Sequence, residues 1–323
     1  MYKTKSCFLI LVLMLIIIGW FGETQSQEKY PTRAIEIIVP FAPGGGTDLA
    51  ARIVAGYVSK KWGIPVNVVN KPGGNTIPAC LEVYNAKPDG YTLLGDSQSS
   101  TSALGAAVKN LPFKVMDRTF IGMTSIGPFF LMVSPTSPFN NLKELADEAR
   151  KEPENFTWTS TGGASGLDFT GRQFFKAIGV DVPKTKPVMV PGGAPAVSLT
   201  AGGHVKMGLG ASSAMPAIKG GMVKTLAITT KTRWPDLPNI PTTEEQGFPT
   251  IDVQYWTGLS GPPKLPSHIV EKWDKILQEA LKDPDIVSAM RNIGVLPFYR
   301  NENGTKEYVI KEIEEVNTLW GLK

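Results

Sequence analysis

With 323 residues, a formal charge of +4, two histidines and two cysteines, the chain lacks the composition of several functional classes. Lys and Arg are scattered without a basic run or an interleaved aromatic pattern, which disfavours nucleic-acid binding and leaves weak steering of small anions. His204 and His268 stand far apart with no Cys or carboxylate cluster beside them, which disfavours a metal centre and fits surface or capping histidines.

In chain order, Lys3 and Lys5 precede the apolar run "CFLILVLMLIIIGWF", and Thr24 and Ser26 follow at cleavage spacing, so residues 1–26 read as a signal peptide for secretion. The apolar core from Phe8 to Ile18 is shorter than the roughly 20 residues that span a bilayer, and an uncleaved anchor is the alternative. Cys7 precedes the run instead of following it, so the layout of a lipid-modified exported protein is missing. No later segment is long and apolar enough to span, and a soluble exported protein is expected. Lys3 and Lys5 against Glu23 contribute +1 of the charge, leaving +3 on the remainder. Only Cys80 then remains, so no internal disulfide is possible and stability rests on core burial. The remaining length exceeds what one hydrophobic core usually serves, and predicts two lobes of about 130 to 150 residues each.

Ile35 to Val39 is β-branched and apolar apart from Glu36, as for a strand buried in a parallel sheet. Three glycines, Gly44 to Gly46, follow. From Thr47 the residues Leu49, Ile53, Val54, Tyr57 and Val58 recur at helical spacing, and Gly63 and Pro65 end the helix. The stretch "VNVVN" is a second strand, closed by "KPGG", which completes a right-handed βαβ unit. The same order returns in a strand at Phe156 to Ser160 and a small-residue loop at Thr161 to Gly166. A helix carrying Leu167, Phe169, Phe174, Phe175 and Ile178 follows, then "VMV" leading to Gly192 and Gly193. Val205 to Leu209 and Val223 to Thr229 are further strands, joined by a short helix around Met215 to Lys219. The segments at 129–135 and 253–263 read as crossings between lobes, with a proline-rich surface loop between them. Ser267 is the expected cap of a helix carrying Ile269, Val270, Trp273, Ile276, Leu277 and Leu281. Thr305 is the expected start of another, carrying Val309, Ile313, Val316 and Trp320.

The first glycine loop fails two nucleotide fingerprints. Leu49 stands where the dinucleotide motif needs its third glycine, and Leu49-Ala50-Ala51 stands where a phosphate loop needs Gly-Lys-Ser or Gly-Lys-Thr. What survives is a helix N-terminus whose free amides and positive dipole end favour an anion such as a carboxylate, or else a tight turn that binds nothing. Asp48 in the first turn would repel an anion unless its side chain caps the helix amides, which is the expected role. The second loop, "STGGASG", supplies hydroxyls from Ser160, Thr161 and Ser165, and the two loops facing each other would clamp a carboxylate and couple binding to lobe closure. A serine hydrolase is disfavoured. Leu167 replaces the second glycine of a nucleophile elbow around Ser165, and nothing brings His204 or His268 to it.

Six segments in register carry a family resemblance: "YPTRAIEIIVPFAPGGGTDLAARIVA", "NKPGGN", "KPDGYTLL", "GGAPAV", "LAITTKTRWPDLPNIPTTEEQGFP" and "YWTGLSGPP". Together they resemble the tripartite tricarboxylate transporter receptors, also called Bug-type solute-binding proteins, from about Tyr30 to the C-terminus. The resemblance implies a two-lobed α/β periplasmic binding protein of type II with a ligand cleft between the lobes. Residues 27–124 and 253–323 would form lobe 1 and residues 125–252 lobe 2. It implies a non-enzymatic monomer, without cofactor, that delivers a small organic carboxylate to the membrane subunits of such a transporter, or presents it to a sensor kinase. Carried over residue by residue, the ligand-binding positions are Phe41, Ala42, Pro43, Gly44, Gly45, Thr47 and Asp48 in the first loop. In the second they are Thr161, Gly162, Gly163, Ala164 and Ser165. Gly192, Gly193, Ala194 and Pro195 form a third segment, and Ser97 a fourth. The chain departs from the family at Asp168, where a histidine is common, at Val190 and Pro191 in place of an aromatic-lysine pair, at Lys206 and Gly210, which replace positions often acidic, and in "PGGNT". The solute itself is therefore not transferable.

Overall fold

The computed structural model describes residues 29–163 and 165–320, so the expected signal peptide and Ala164 lie outside the described residues. From Arg33 onward the chain forms a single unit. Its first strand, β1 (Ile35–Val39), leads through the glycine loop into α1 (Gly46–Trp62) and β2 (Val66–Asn70), which pairs parallel to β1 from Ile35↔Val66 to Val39↔Asn70. Gly63 ends α1 in the left-handed conformation at φ +69°, its N–H bonded to Ser59, as the stop signal predicts. The buried face of α1 is Ala50, Ala51, Val54, Ala55 and Val58, whereas Leu49, Ile53 and Tyr57 stay half-exposed. Small residues win that face because the helix lies close on the sheet, where a side chain on Gly95 would come within 3.6 Å of the Ala51 methyl.

After α2 (Ile77–Tyr84), β3 (Thr92–Ser97) pairs parallel to the other side of β1, and α3 (Ser102–Ala107) leads to β4 (Thr119–Pro128). One residue, Phe129, separates β4 from β5 (Phe130–Val133), with which a second group of elements begins. These are α4 (Leu142–Lys151), β6 (Thr157–Ser160), α5 (Gly166–Ala177), β7 (Lys186–Met189), α6 (Gly193–Ala201), β8 (Gly208–Gly210), α7 (Met215–Lys219) and β9 (Lys224–Ile228). The chain then returns through β10 (Gln254–Gly261) to α8 (Ser267–Ala280), α9 (Pro284–Asn292), β11 (Leu296–Arg300) and α10 (Glu302–Trp320).

Six strands form one mixed sheet in the order β11-β4-β10-β3-β1-β2, while β8-β5-β9 and the parallel pair β6-β7 form the sheets of the second group, linked by a bridge from Trp158 to Met207. The fold is the α/β arrangement expected, with βαβ units in both groups. Three local expectations fail. The strand at Val205 to Leu209 begins only at Gly208, because Lys206 and Met207 both donate to the Thr157 carbonyl instead of extending the ladder. Ser267 does not cap α8, which starts on it after Pro266 without a side-chain cap. Thr305 lies inside α10, and its hydroxyl bridges the Met123 N–H and the Arg300 carbonyl.

The helix α10 has a positioning role. Its Val309 packs with Phe120, Met123 and Trp256 of the large sheet, and its Val316 packs in the second group's core with Phe129, Trp158 and Phe169. Two hydrophobic clusters are thus joined by one helix, each buried valine contributing roughly 1.5–3 kcal/mol. Among the described residues no helix is long and apolar enough to cross a membrane.

Candidate functional site

The first glycine loop is built by Asp48. Gly44 turns the chain at φ +79°, a conformation other residues rarely adopt, and donates its N–H to Asp48 Oδ2 at 2.9 Å. Asn70 holds the same carboxylate at 2.8 Å and the Phe41 carbonyl at 3.0 Å, and Arg52 pairs with both carboxylate oxygens. Burial pushes the Asp48 pKa up, but the Arg52, Gly44 and Asn70 contacts together hold it below the ordinary aspartate value. The expectation that Asp48 caps the helix amides is corrected: it reaches back to the loop, and no side chain caps α1, whose N-cap is Gly45. Its charge is matched by Arg52, which removes the repulsion that an anion at this helix start would otherwise meet.

The second loop repeats the device. Gly162, at φ +89°, donates to Ser160 Oγ at 3.1 Å, Ser160 donates to Asp168 Oδ1 at 2.5 Å, and Arg172 Nε bonds Asp168 Oδ2 at 2.6 Å. Ser165 caps α5 by accepting the Asp168 N–H at 3.1 Å, and Thr161 and Ser165 share a hydroxyl contact. Ser160 is therefore engaged in forming the loop, and within the Thr161–Ser165 pair one hydroxyl donates to the other, which leaves the pair one proton to offer. Asp168, one of the departures from the family pattern, is the anchor of this loop. The two helices share the pattern Gly-x-Asp-x-x-x-Arg, at Gly46, Asp48 and Arg52 and at Gly166, Asp168 and Arg172, each set 120 positions apart. That repeat was readable in the sequence and is the signal that finds both arginines.

Close packing at the two helix starts brings the loops toward common neighbours. A side-chain carbon on Gly46 would lie 2.0 Å from Ser212 Oγ and 2.9 Å from Tyr255 Oη, and one on Gly166 would lie 2.4 Å from Phe129 Cζ and 2.3 Å from Gln98 Oε1. Tyr255 Oη bonds Thr47 Oγ1 at 2.9 Å, and the Tyr255 and Phe129 rings meet edge to face at 6.1 Å. Phe129 and Tyr255 belong to the two chain crossings, so the first residues of α1 and α5 converge where the chain passes between the two groups of strands. Gly166 also donates its N–H to Ser99 Oγ at 3.2 Å. Ser97 itself is buried and closes a capping box with Ser100, so its neighbour Ser99 makes the link to the second loop. Gly192 is the N-cap of α6, and a side-chain carbon on Gly193 would lie 2.4 Å from Ser213 Oγ. Ala42, Pro43, Gly44, Gly163, Ala194 and Pro195 are exposed around these helix starts, while Phe41, Gly45, Thr161, Gly162 and Ser165 are partly covered.

Ser99, Phe129, Ser212, Ser213 and Tyr255 were not singled out as binding residues, since only the tertiary fold places them at the loops, while Gly46 and Gly166 were read as loop glycines and not as points of close contact. His204 is exposed in the turn after α6, and among the described residues no cluster of His, Cys, Asp and Glu is arranged to hold a metal. A cavity of about 520 Å³ lined by Lys231, Arg300, Tyr308 and Glu312, among others, contains none of the loop residues.

Comparisons with known proteins bear on the family and the fold. The sequence profile described as "Tripartite tricarboxylate transporter family receptor" matches residues 50–320. A protein from the ttuE–ttuC' intergenic region of Agrobacterium vitis is 30% identical over 299 residues, which is 91% of this chain and 84% of that one. The structure of MatC from Rhodopseudomonas palustris with bound malate superposes with a TM-score of 0.81 at 28% identity, covering 90% of this chain and 99% of MatC. A second R. palustris protein, solved with adipate, has a TM-score of 0.84 at 25% identity over 90% of this chain and 98% of its own.

Proposed function

This chain belongs to the tripartite tricarboxylate transporter receptor family, whose members are periplasmic solute-binding receptors and not enzymes, and on that premise we propose that it captures a small organic carboxylate and passes it to the membrane subunits of a transporter of that type. Residues 27–124 with 253–323, and residues 125–252, act as the two lobes, and the crossings at Phe129 and Tyr255 act as the hinge. Export by the N-terminal segment places the receptor in the periplasm. The observation that carries the reading is the convergence of two glycine-started helices whose acidic residues are each neutralised by an arginine on the same helix. Each helix then presents its positive end to the same space without an opposing net charge. The carboxylate sits between Gly44–Thr47 on one side and Thr161–Ser165 on the other, with the Thr161–Ser165 and Thr47–Tyr255 hydroxyl pairs as donors.

A thermal-shift screen tests this. Relatives solved with malate and adipate define the first probes, followed by aromatic acids and small amides. A ligand at 100 times its Kd stabilises the folded chain by about 2.7 kcal/mol, which raises Tm by several degrees. Carboxylates should raise it and the matching amides should not. No shift with any organic acid, or shifts with amides alone, would remove the carboxylate reading.

A further inference from the structure

We propose that the cavity walled by β11 and α10 is a second small-molecule site, separate from the glycine loops. It takes a zwitterion of the amino-acid class, with the carboxylate on Arg300 and the ammonium between Asp252 and Glu315. The inference does not rest on the carboxylate reading above. The cavity measures about 520 Å³, within the roughly 300–1,000 Å³ of small-molecule sites. Its walls are Arg300 at the end of β11, one face of α10 at Tyr308, Lys311 and Glu315, and Lys231 and Asp252 from the segment between β9 and β10.

Arg300 supplies the cationic end. Its guanidinium lies 5.1 Å from the centres of both the Phe298 and the Tyr308 rings, which hold it by cation–π attraction without accepting an ordinary hydrogen bond. Its Nε is buried and has no hydrogen-bond partner among the described residues. The ion pairs of the cavity form elsewhere, Lys231 with Asp252 at 3.5 Å and Lys311 with Glu315 at 3.9 Å. A buried charged donor without an acceptor is costly, so an acceptor from outside the chain fits here. A carboxylate is the matched one, since its two oxygens take Nε and a terminal nitrogen side by side.

Carboxylates supply the other end. Asp252, Glu307, Glu312 and Glu315 line the cavity, outnumbering its three cations. Glu312 is engaged inside the fold by Gln98, Ser102 and Trp256. Burial raises the Glu315 pKa, Lys311 offsets part of that, and the Asp252 charge raises it again, so an ammonium between the two carboxylates relieves both. The lysines that face them are 74% and 78% exposed, and such surface pairs contribute little. A simple anion on Arg300 would meet these carboxylates, and a simple amine among the carboxylates would meet Arg300. A molecule carrying both charges avoids both repulsions.

The experiment is titration calorimetry on the full chain with glycine, 4-aminobutanoate and 6-aminohexanoate, beside hexanoate and hexylamine as single-charge controls. The acid that raises Tm most in the thermal screen is kept saturating, so that the glycine loops are occupied. Wild type should bind a single zwitterion per chain, at least tenfold more tightly than either control. Arg300→Gln should weaken that zwitterion by about tenfold or more, the usual effect of losing a hydrogen bond to a charged group. Asp252→Asn combined with Glu315→Gln should weaken it as much and keep the wild-type Tm, because both carboxylates sit on the exposed wall; this pair decides the matter if Arg300→Gln fails to fold. No heat with any zwitterion, or affinity unchanged in these variants, overturns the proposal. A zwitterion that the acid displaces and that Arg300→Gln does not weaken lies in the glycine loops, which overturns this site and leaves the receptor reading standing. If no acid shifts Tm, the receptor reading fails, and the same variants titrated without acid still decide this one.

Discussion

Replacing Gly46 with alanine probes the contact between the α1 start and the second group of strands. The added carbon would sit 2.0 Å from Ser212 Oγ, 3.3 Å from Ser212 Cβ and 2.9 Å from Tyr255 Oη. Ser212 Oγ can rotate away about one bond. Tyr255 cannot, since its hydroxyl is tied to Thr47 and its ring is set against Phe129, so the two sides must separate by about half an ångström to restore ordinary contact. Overpacking of this kind costs about 1–3 kcal/mol. If that cost falls on the closed, ligand-holding arrangement, affinity drops by roughly 5- to 150-fold. Gly46 is the first residue of α1, where alanine gains less than the roughly 0.5–1 kcal/mol of a helix interior, so the overpacking outweighs that gain and Tm should fall. Gly56, in the exposed middle of the same helix with nothing within 4 Å, supplies the contrast: Gly56→Ala should stabilise by about 0.5–1 kcal/mol and leave affinity unchanged. Calorimetric titration with the acid that shifts Tm most, beside thermal melts, reads both quantities. Wild-type affinity in Gly46→Ala, or equal weakening in both variants, would refute the contact as part of the binding arrangement.

Asp96 and Arg118 form a fully buried ion pair at 3.3 Å beneath the Ser97–Ser100 turn, and Arg118→Ala strands the carboxylate, so urea unfolding should show a loss of about 3–5 kcal/mol, partly recovered in the Asp96→Asn/Arg118→Ala double variant. Asp48→Ala leaves Gly44, Arg52 and Asn70 without their shared partner, at a cost of about 1–3 kcal/mol, and hydrogen exchange at the Gly44 amide should accelerate. Because the Asp48 pKa is lowered on folding, its contribution is present above the ordinary aspartate range and lost as pH falls, so Asp48→Asn should flatten the acid limb of the stability profile. Glu312 behaves in the opposite sense. Burial lifts its pKa to about 7 against the Ser102, Trp256 and Gln98 donors, from an ordinary 4.5. A carboxyl raised on folding favours the folded state fully below about 4.5, and that advantage is lost as pH rises through about 7. Urea unfolding at pH 5 and pH 8 should show wild type losing on the order of 3 kcal/mol more than Glu312→Gln over that interval, and parallel profiles would contradict it.

Local rules were enough for much of this protein. The β-branched run at Ile35–Val39, the glycines after it and the stop at Gly63 determine the first βαβ unit, because each depends only on neighbours in sequence. The buried face Leu167, Phe169, Phe174, Phe175 and Ile178 was legible for the same reason: helical period alone puts those side chains together. The two glycine loops and the order of the family segments were readable as well, and so, though unread, was the Gly-x-Asp-x-x-x-Arg repeat that neutralises both acids. Periodicity could not show which face of α1 is buried, since Ala50, Ala51 and Ala55 win over larger residues only through the close approach of the sheet. Nor could the sequence show that Asp48 turns back to Gly44, because Asn70 and Arg52, its other partners, arrive from the next strand and the next helical turn. Phe129, Tyr255, Ser99 and the Ser212–Ser213 pair lie up to about two hundred positions from the loops they touch, and no spacing rule connects them. The sequence by itself determined the class of the molecule and its two glycine-started helices. The tertiary structure alone decided what stands opposite them, because side chains distant along the chain meet only after the two groups of strands and a shared helix have set their positions.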